Sequence, residues 1–523
     1  MSKIVKIYDT TLRDGTQGEN VSFSGADKIR IADRLDAFGV HYIEGGWPGA
    51  CPKDMEFFVE ARKRSWRHAK IVAFGSTRRA KEVCSHDSNI QALVEAHTPV
   101  VTMVGKTWSL HVREVIRTTL EENLAMIADS VRYFKERDKE VFYDAEHFFD
   151  GYKDDPDYAL KTLRAAQDAG ADVLVLCDTN GGTMPHEISR IVGEVKRQFH
   201  TALGIHTHND CGLAVANALA AVEQGVTQVQ GTINGYGERA GNCNLITVIA
   251  NLVLKMGVIC IPQENLRYLR ELSQFVDDLA NVRPDIRQPF VGATAFAHKG
   301  GIHVNAIEKV ARSYEHIDPE LVGNRRRVLV SELSGRSNVL LKAQELGLVL
   351  DKNAPELHEV LKQLKEMEHR GYEFEAADAS FRLLVEKAFK RYEPFFQLLG
   401  YRVIMDRFAQ DDQQICEASV KLRVGDKVEH TVAEGDGPVN ALDKALRAAL
   451  VKFYPAIQNV RLVDYKVRIL DSGAGTAAKT RVIIESTDGN SVWGTVGVHD
   501  NIIEASWEAL MDSYIYAIWM AKK

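Results

Sequence analysis

A closed (β/α)8 barrel, followed by a mainly helical linker or arm and a C-terminal α+β domain, is the fold class that three features of this sequence predict. Between residue 4 and about residue 250, short apolar or β-branched runs alternate with longer segments of helical period. Nearly every run ends in residues that can do chemistry. Past residue 250 the alternation stops, and the final segment carries a weak internal repeat.

Taken in order, the runs are IVKIYD from residue 4, YIEGG from 42, KIVAFGS from 70, VVTMVG from 100, EVFYDAEH from 140, DVLVLCDTNG from 172, ALGIHTHND from 202 and QVQGTINGYGE from 228. Near-continuous apolar strands joined by amphipathic helices are what a parallel sheet needs, because its strands are buried on both faces. An open doubly wound sheet would show the same alternation. The polar residues favour the barrel. Arg13 and Asp14 follow the first run, and Glu44, Ser76 and Glu146 lie at the ends of later ones. Asp178 and Thr179, then His206 and His208, then Glu238 complete the series. All eight carboxyl ends of a (β/α)8 barrel surround one mouth, so these residues would share one cavity.

The expected domains are a barrel over 1–280, helical arm subdomains over 281–392 and a regulatory, amino-acid-sensing domain over 393–523. In the middle part, PDIRQPFVGATAFAHKGGIHVNAIEK at 284–309 is rich in Gly and Pro, which leaves its histidines in loop or at a helix start. In the last part, VEHTVAEGDGPVNALDKALRAAL from Val428 resembles VWGTVGVHDNIIEASWEALMDSY from Val492. Each leads from an alternating strand through a turn into an amphipathic helix. With the strands ICEASVKLRVG and TRVIIESTDG before them, they make two β-β-α-like units. Such a module suits regulation and scaffolding equally.

Composition excludes several classes. The 523 residues carry a formal net charge of -7 and no long basic tract, so no nucleic-acid partner is expected, and the cluster Arg325–Arg327 reads as solvated structure. No apolar run reaches the roughly 20 residues that span a bilayer, so no membrane role is expected. The opening MSKIVKIYDTTLRDG resembles neither a secretory signal nor a transit peptide, which points to a cytoplasmic location. Seven cysteines with no CxxC spacing point to reduced thiols.

The densest chemistry lies in HTHND at 206–210. His206 and His208 are one residue apart on an extended strand, so both imidazoles point the same way and Thr207 points opposite. Asp14 at the end of the first strand would be their neighbour in a closed ring. The loop NGYGERAGNCN adds the amide oxygen of Asn242. Mixed N and O ligation suits a divalent metal, Mn, Mg or Zn. A hydrogen-bonded loop with two solvated histidines is the plainer reading, and a second metal on Cys211 and Cys243 lacks a chelating spacing. Arg13 could bind carboxylate oxygens or offset charge on a carbonyl oxygen, or could pair with Glu44 or Glu146. Glu146 is either a proton donor or part of that ion-pair network. Thr179 is either a hydroxyl donor or part of a helix cap.

DTTLRDGTQGE at 9–19, HTHNDCGLAVANALAAVEQG at 206–225, NGYGERAGNCNL at 234–245 and AHKGGIHVNAI at 297–307 together resemble the isopropylmalate and homocitrate synthase family of Claisen-condensing acyltransferases, over essentially the whole chain. The stretch YIEGGWPGACPKDMEFF at 42–58 is most similar to members whose 2-oxo acid is pyruvate. The resemblance implies condensation of acetyl-CoA with pyruvate and water. The alternatives are 3-methyl-2-oxobutanoate as the acceptor, or a metal-dependent lyase on the same barrel. It implies Asp14, His206, His208 and Asn242 as ligands of a divalent metal, with Arg13, Asp14, Val104, Glu146, Thr179 and His206 around the 2-oxo acid. Arg13, Glu146, His303 and Tyr314 are the implied catalytic residues, the last two reaching into a neighbouring subunit of a homodimer as part of the base. It further implies isoleucine biosynthesis, with isoleucine as an effector near Gly435–Asn440 and the region of Gly473 and Gly475. Where many relatives have GxHxDG, this chain has GIHVNA, so an aspartate that could orient the base is absent.

Overall fold

Eight parallel strands close on themselves in the first part of the chain: β1 (Lys6–Asp9), β2 (Tyr42–Gly46), β3 (Lys70–Ser76), β4 (Val100–Lys106), β5 (Glu140–Glu146), β6 (Val173–Asp178), β7 (Ala202–Thr207) and β8 (Gln228–Gly231). Closure is made by β1 on β8, with Tyr8 opposite Gln230. The computed structural model describes residues 3–50, 52–299, 301–329, 336–348, 350–351, 354–374, 376–407, 414–470 and 478–522. The chain divides into two units, one of Met1–Phe296 with Ile317–Arg325, the other of Ala297–His316 with Arg326–Lys523. The second and third strands have the bounds expected from sequence. The first starts at Lys6 rather than Ile4, and the fourth runs past Gly105 to Lys106.

The helices between the strands are α1 (Gly25–Phe38), α2 (Pro52–Ala61), α3 (Ser88–Glu95), α4 (Leu120–Lys135), α5 (Phe148–Asp154), α6 (Pro156–Asp168), α7 (Pro185–Gln198) and α8 (Ala214–Glu223), followed by α9 (Leu245–Leu254) and α10 (Leu269–Ala280). Their apolar faces pack on the outward residues of the strands, as in β4, where Val101 and Met103 join the outer core. The inward residues Tyr8, Tyr42, Val72, Val100, Phe142, Val173, Val175 and Cys177 form a separate cluster that fills the barrel. Tyr42 and Phe142 meet edge to face at 4.9 Å. A filled interior confines any binding site to the carboxyl ends of the strands.

At the opposite end, His41 precedes β2, and its Nδ1 accepts the Ile7 backbone N–H at 3.2 Å, a bond only the neutral ring can make. Burial first, then Lys6 and His68, lower this imidazole to about 4. A depressed histidine pKa stabilises the fold fully above the unfolded value of about 6.5, and the contribution is lost as pH falls towards 4, because the unfolded chain then binds the extra proton. The limit is about 3 kcal/mol at 1.36 kcal/mol per unit. Denaturant midpoints of the metal-free protein should therefore drop between pH 6.5 and 4.5. His41→Asn, which keeps an acceptor but cannot titrate, should lose less over that range.

The second unit starts with β9 (Ala297–His298), α11 (Gly301–Lys309) and β10 (Arg327–Val328), which pairs in parallel with β9. His298 thus lies in a strand, and His303 is the third residue of a helix. In the basic cluster, Arg326 is not simply solvated: it bonds both carboxylate oxygens of buried Glu315, which also faces His298. Helices α12 (Arg336–Glu345), α13 (Glu356–His369) and α14 (Asp378–Ala388) follow. Then come β11 (Gln397–Arg407), β12 (Gln414–Val424), β13 (Lys427–Gly435) and α15 (Pro438–Leu450), and after them β14 (Arg461–Ile469), β15 (Thr480–Thr487), β16 (Val492–His499) and α16 (Ile502–Ala521). The two β-β-α units of the sequence are present, each preceded by one more antiparallel strand. Gly473, Gly475 and Cys51 lie outside the described residues. Among the described residues, no helix is long and apolar enough to cross a membrane.

Candidate active site

A cavity of about 620 Å³ opens at the carboxyl ends of the strands. Its lining includes Arg13, Asp14, Val104, Glu146, Thr179, His206, His208 and Glu238, so residues spread over more than two hundred positions meet around one cavity. Of residues 101–104 on β4, only Val104, the one implied by the resemblance, lines the cavity. Pleat alternation sends Val101 and Met103 outward, and Thr102 turns inward to the hydroxyl of Tyr8 at 2.8 Å.

Asp14, His206 and His208 are all buried, and one ligand atom from each lies within 4.8 Å of the others. The Oδ2 of Asp14 is 3.5 Å from Nε2 of His206. Burial opposes ionisation of Asp14, but Arg13, His206, His208 and the amide of Asn242 outweigh it and hold the carboxyl below its ordinary value. An isolated antiparallel bridge pairs Asn242 with His208. The Nδ2 of Asn242 donates to Tyr236 O at 3.1 Å, while its buried Oδ1 has no hydrogen-bond partner. An orphaned acceptor of this kind is costly unless something binds it. Gly237, at φ 147°, makes the arrangement possible, since a Cβ there would lie 2.1 Å from Asn242 Nδ2. One carboxylate, two imidazoles and a free amide oxygen fit a divalent cation.

The two histidines are held differently. The Nδ1 of His206 is 3.0 Å from the Oε1 of Gln230. His208 Nδ1 instead faces the Nη2 of Arg239 at 3.1 Å, and Arg239 is itself anchored on Asp210 and Thr179 O. A guanidinium only donates, so this contact places the proton of a neutral His208 on Nε2, and ligation through Nε2 requires the contact to open. Burial lowers both rings. For His208, burial and then His206 bring the value to about 4, so neither ring is charged near neutrality.

Arg13 bonds Glu44 Oε1 through Nε at 2.6 Å, reaches Asp14 through Nη1 at 3.3 Å and lies over the Phe74 ring at 3.7 Å. Glu44, fully buried, also accepts from Tyr8 and from Thr10 Oγ1. Of the two pairings open to Arg13 on sequence, the one with Glu44 forms. Glu146 pairs with Lys106, which stands one residue beyond the apolar run that marks the fourth strand in the sequence. Thr179 does not cap a helix, because α7 starts only at Pro185. Its Oγ1 accepts the His147 N–H at 2.9 Å, which leaves the hydroxyl proton for a ligand.

Asp144 also lines the cavity, two residues before Glu146 and so on the same face of β5. The strand period could have found it. Burial and then Glu44 push its carboxyl up to about 8. Cys243 and Cys211 make no metal group: Cys243 is buried with its thiol on Ala214 O, and Cys211 is exposed. In the second unit, His303 and Tyr314 are exposed and stack on each other at 4.3 Å.

Residues 4–276 match the HMGL-like family, 290–372 the homocitrate synthase post-HMGL domain-like family and 375–518 the LeuA allosteric (dimerisation) domain. The (R)-citramalate synthase of Geobacter sulfurreducens is 57% identical over 515 residues, covering 98% of each chain. That of Aquifex aeolicus is 54% identical, over 99% of this chain and 98% of its own. The 2-isopropylmalate synthase of Methanocaldococcus jannaschii is 31% identical, over 97% and 93%.

Proposed function

This chain belongs to the HMGL-like family and, within it, to the (R)-citramalate synthases, and from that premise we infer that it condenses acetyl-CoA with pyruvate and water to give (R)-citramalate and CoA. The observation that carries the reading is the convergence of Arg13, Asp14, His206 and His208 on one cavity, with Asn242 bridged to His208 and its buried Oδ1 unpartnered. Asp14, His206, His208 and Asn242 would hold a divalent cation, which when bound supplies Lewis-acid polarisation of the ketone. The ion is one of Mn, Mg or Zn, all of which tolerate mixed N and O ligation.

Around the acceptor, Arg13 binds oxygen and offsets the negative charge that develops on the former ketone. Thr179 donates its hydroxyl proton to the carboxylate. Glu146, paired with Lys106, acts as a hydrogen-bond acceptor and not as the proton donor. His303 and Tyr314 of a neighbouring copy supply the base that removes a proton from the acetyl methyl group, as the dimerisation-domain match supports for a homodimer. The resulting carbanion attacks the ketone carbon, and water then cleaves the thioester to release CoA. The product feeds isoleucine synthesis, and isoleucine regulates the enzyme through residues 393–523, near Gly435–Asn440.

A panel of pyruvate, 2-oxobutanoate, 3-methyl-2-oxobutanoate and 2-oxoglutarate, each with acetyl-CoA, tests the substrate by thiol release. Pyruvate should have the highest specificity constant, with each added methylene costing about 1–3 kcal/mol in a fitted pocket. Preference for 3-methyl-2-oxobutanoate would make it an isopropylmalate synthase, and absence of CoA release would point to a lyase. Truncation near residue 390 should abolish any response to isoleucine. Inhibition that survives it would place the effector elsewhere.

A further inference from the structure

Two buried polar side chains at the cavity, Asp144 in its lining and Gln230 beneath it, are used by none of the steps above. Gln230 lies on β8 with 1% of its surface exposed, and Asp144 lies on β5, across the barrel, with 3% exposed. The Nε2 of Gln230 donates to Asp144 Oδ1 at 3.1 Å, and its Oε1 lies 3.0 Å from His206 Nδ1. A primary amide has one accepting end and one donating end. In the structure Asp144 Oδ1 is the acceptor, with any carboxyl proton on the other oxygen, so it takes the NH2 end. The carbonyl end must then face His206. A carbonyl oxygen can only accept, so the proton of the neutral imidazole lies on Nδ1. That leaves the lone pair of Nε2 on the side of Asp14.

We propose that Asp144 and Gln230 are positioning residues for the divalent cation: their hydrogen-bond chain sets the tautomer and ring angle of His206 before the ion arrives. The inference rests on the metal reading of the preceding section. The contrast between the two histidines supports it. His208 faces a guanidinium that sets the opposite tautomer, whereas His206 is already in its ligating form. The first imidazole thus forms the fixed part of the site with Asp14, and the second joins as Arg239 lets go. Partners of this kind typically change metal affinity by roughly 10- to 100-fold when removed.

The test is Mn2+ titration calorimetry of the full chain, stripped of metal, with thermal melting in chelator as the measure of folding. Gln230→Met keeps the volume and removes both hydrogen bonds, and Asp144→Leu removes the anchor. Each should weaken Mn2+ binding by roughly 10- to 100-fold. At saturating Mn2+, Gln230→Met should recover most of its turnover, a split that general damage to the barrel would not produce. Asp144→Asn, whose carbonyl can still accept from Gln230, should restore affinity to within about threefold of the unaltered protein. Unaltered Mn2+ affinity in Gln230→Met would overturn the proposal, as would equal loss in Asp144→Asn and Asp144→Leu. Should Gln230→Met fail to fold, the comparison of the two Asp144 variants decides alone. If the unaltered protein itself binds no Mn2+, Mg2+ or Zn2+, the metal reading fails first.

Discussion

Asp14→Asn should fold, melt within a few degrees of the unaltered protein in chelator, and lose turnover by about a thousandfold or more. The substitution keeps the volume and one oxygen but removes the only carboxylate of the His206 and His208 cluster. Two neutral imidazoles and two neutral amide oxygens bind a hard divalent cation poorly, because they supply no charge to replace its hydration. Mn2+ affinity should fall by at least about a hundredfold, in line with the loss of an inner ligand rather than of an outer partner. The fold should persist because the local structure at Asp14 is carried by backbone bonds such as Gly15 N to Thr10 O, which the change does not touch. Calorimetry and thiol release on one preparation check both parts. Turnover at the unaltered level would remove the electrophile from the proposed reaction and the reading with it.

The second large effect is at Arg13, where structure and chemistry can be separated. Arg13→Ala leaves Glu44 fully buried with only neutral donors, Tyr8 and Thr10, in contact. Breaking one side of a buried ion pair costs about 3–5 kcal/mol. Removing a donor aimed at developing oxygen charge costs about 10²–10³ in kcat. Denaturant unfolding should show the first loss and thiol release the second. Adding Glu44→Gln removes the orphaned charge, so the double variant should regain most of the lost stability while turnover stays low. If turnover returned together with stability, Arg13 would be a structural counter-ion only.

Much of this site was legible in the chain because its main residues stand at the ends of strands that announce themselves. HTHND closes a buried apolar run, and its one-residue spacing fixes both imidazoles on one face whatever lies around them. Arg13, Asp14, Glu146 and Thr179 follow the same rule, and all line the cavity. The strand and helix alternation follows from local periodicity, and the polar residues at the run ends favour its closure into a barrel. Lys106 and Asp144 were missed for local reasons: one lies a single residue beyond the apolar run, the other two residues before a more conspicuous carboxylate. The β-β-α pattern of the final segment hid β11 and β14, whose outward apolar residues blur the alternation that marks a strand.

By itself, then, the order of residues determined the alternating elements, the closed ring they favour and the polar groups delivered to its mouth, since each depends on periodicity within a few residues. Only the tertiary structure decided who pairs with whom. Glu44 takes Arg13, Lys106 takes Glu146, and Gln230 spans the barrel from Asp144 to His206. Those partnerships depend on barrel closure and register, which bring side chains 24 to 86 positions apart within hydrogen-bonding distance. Hydrogen-bond direction is a property of such pairs and of no residue alone, which is why the tautomer of His206 can be read in the folded molecule and not in the letters of the chain.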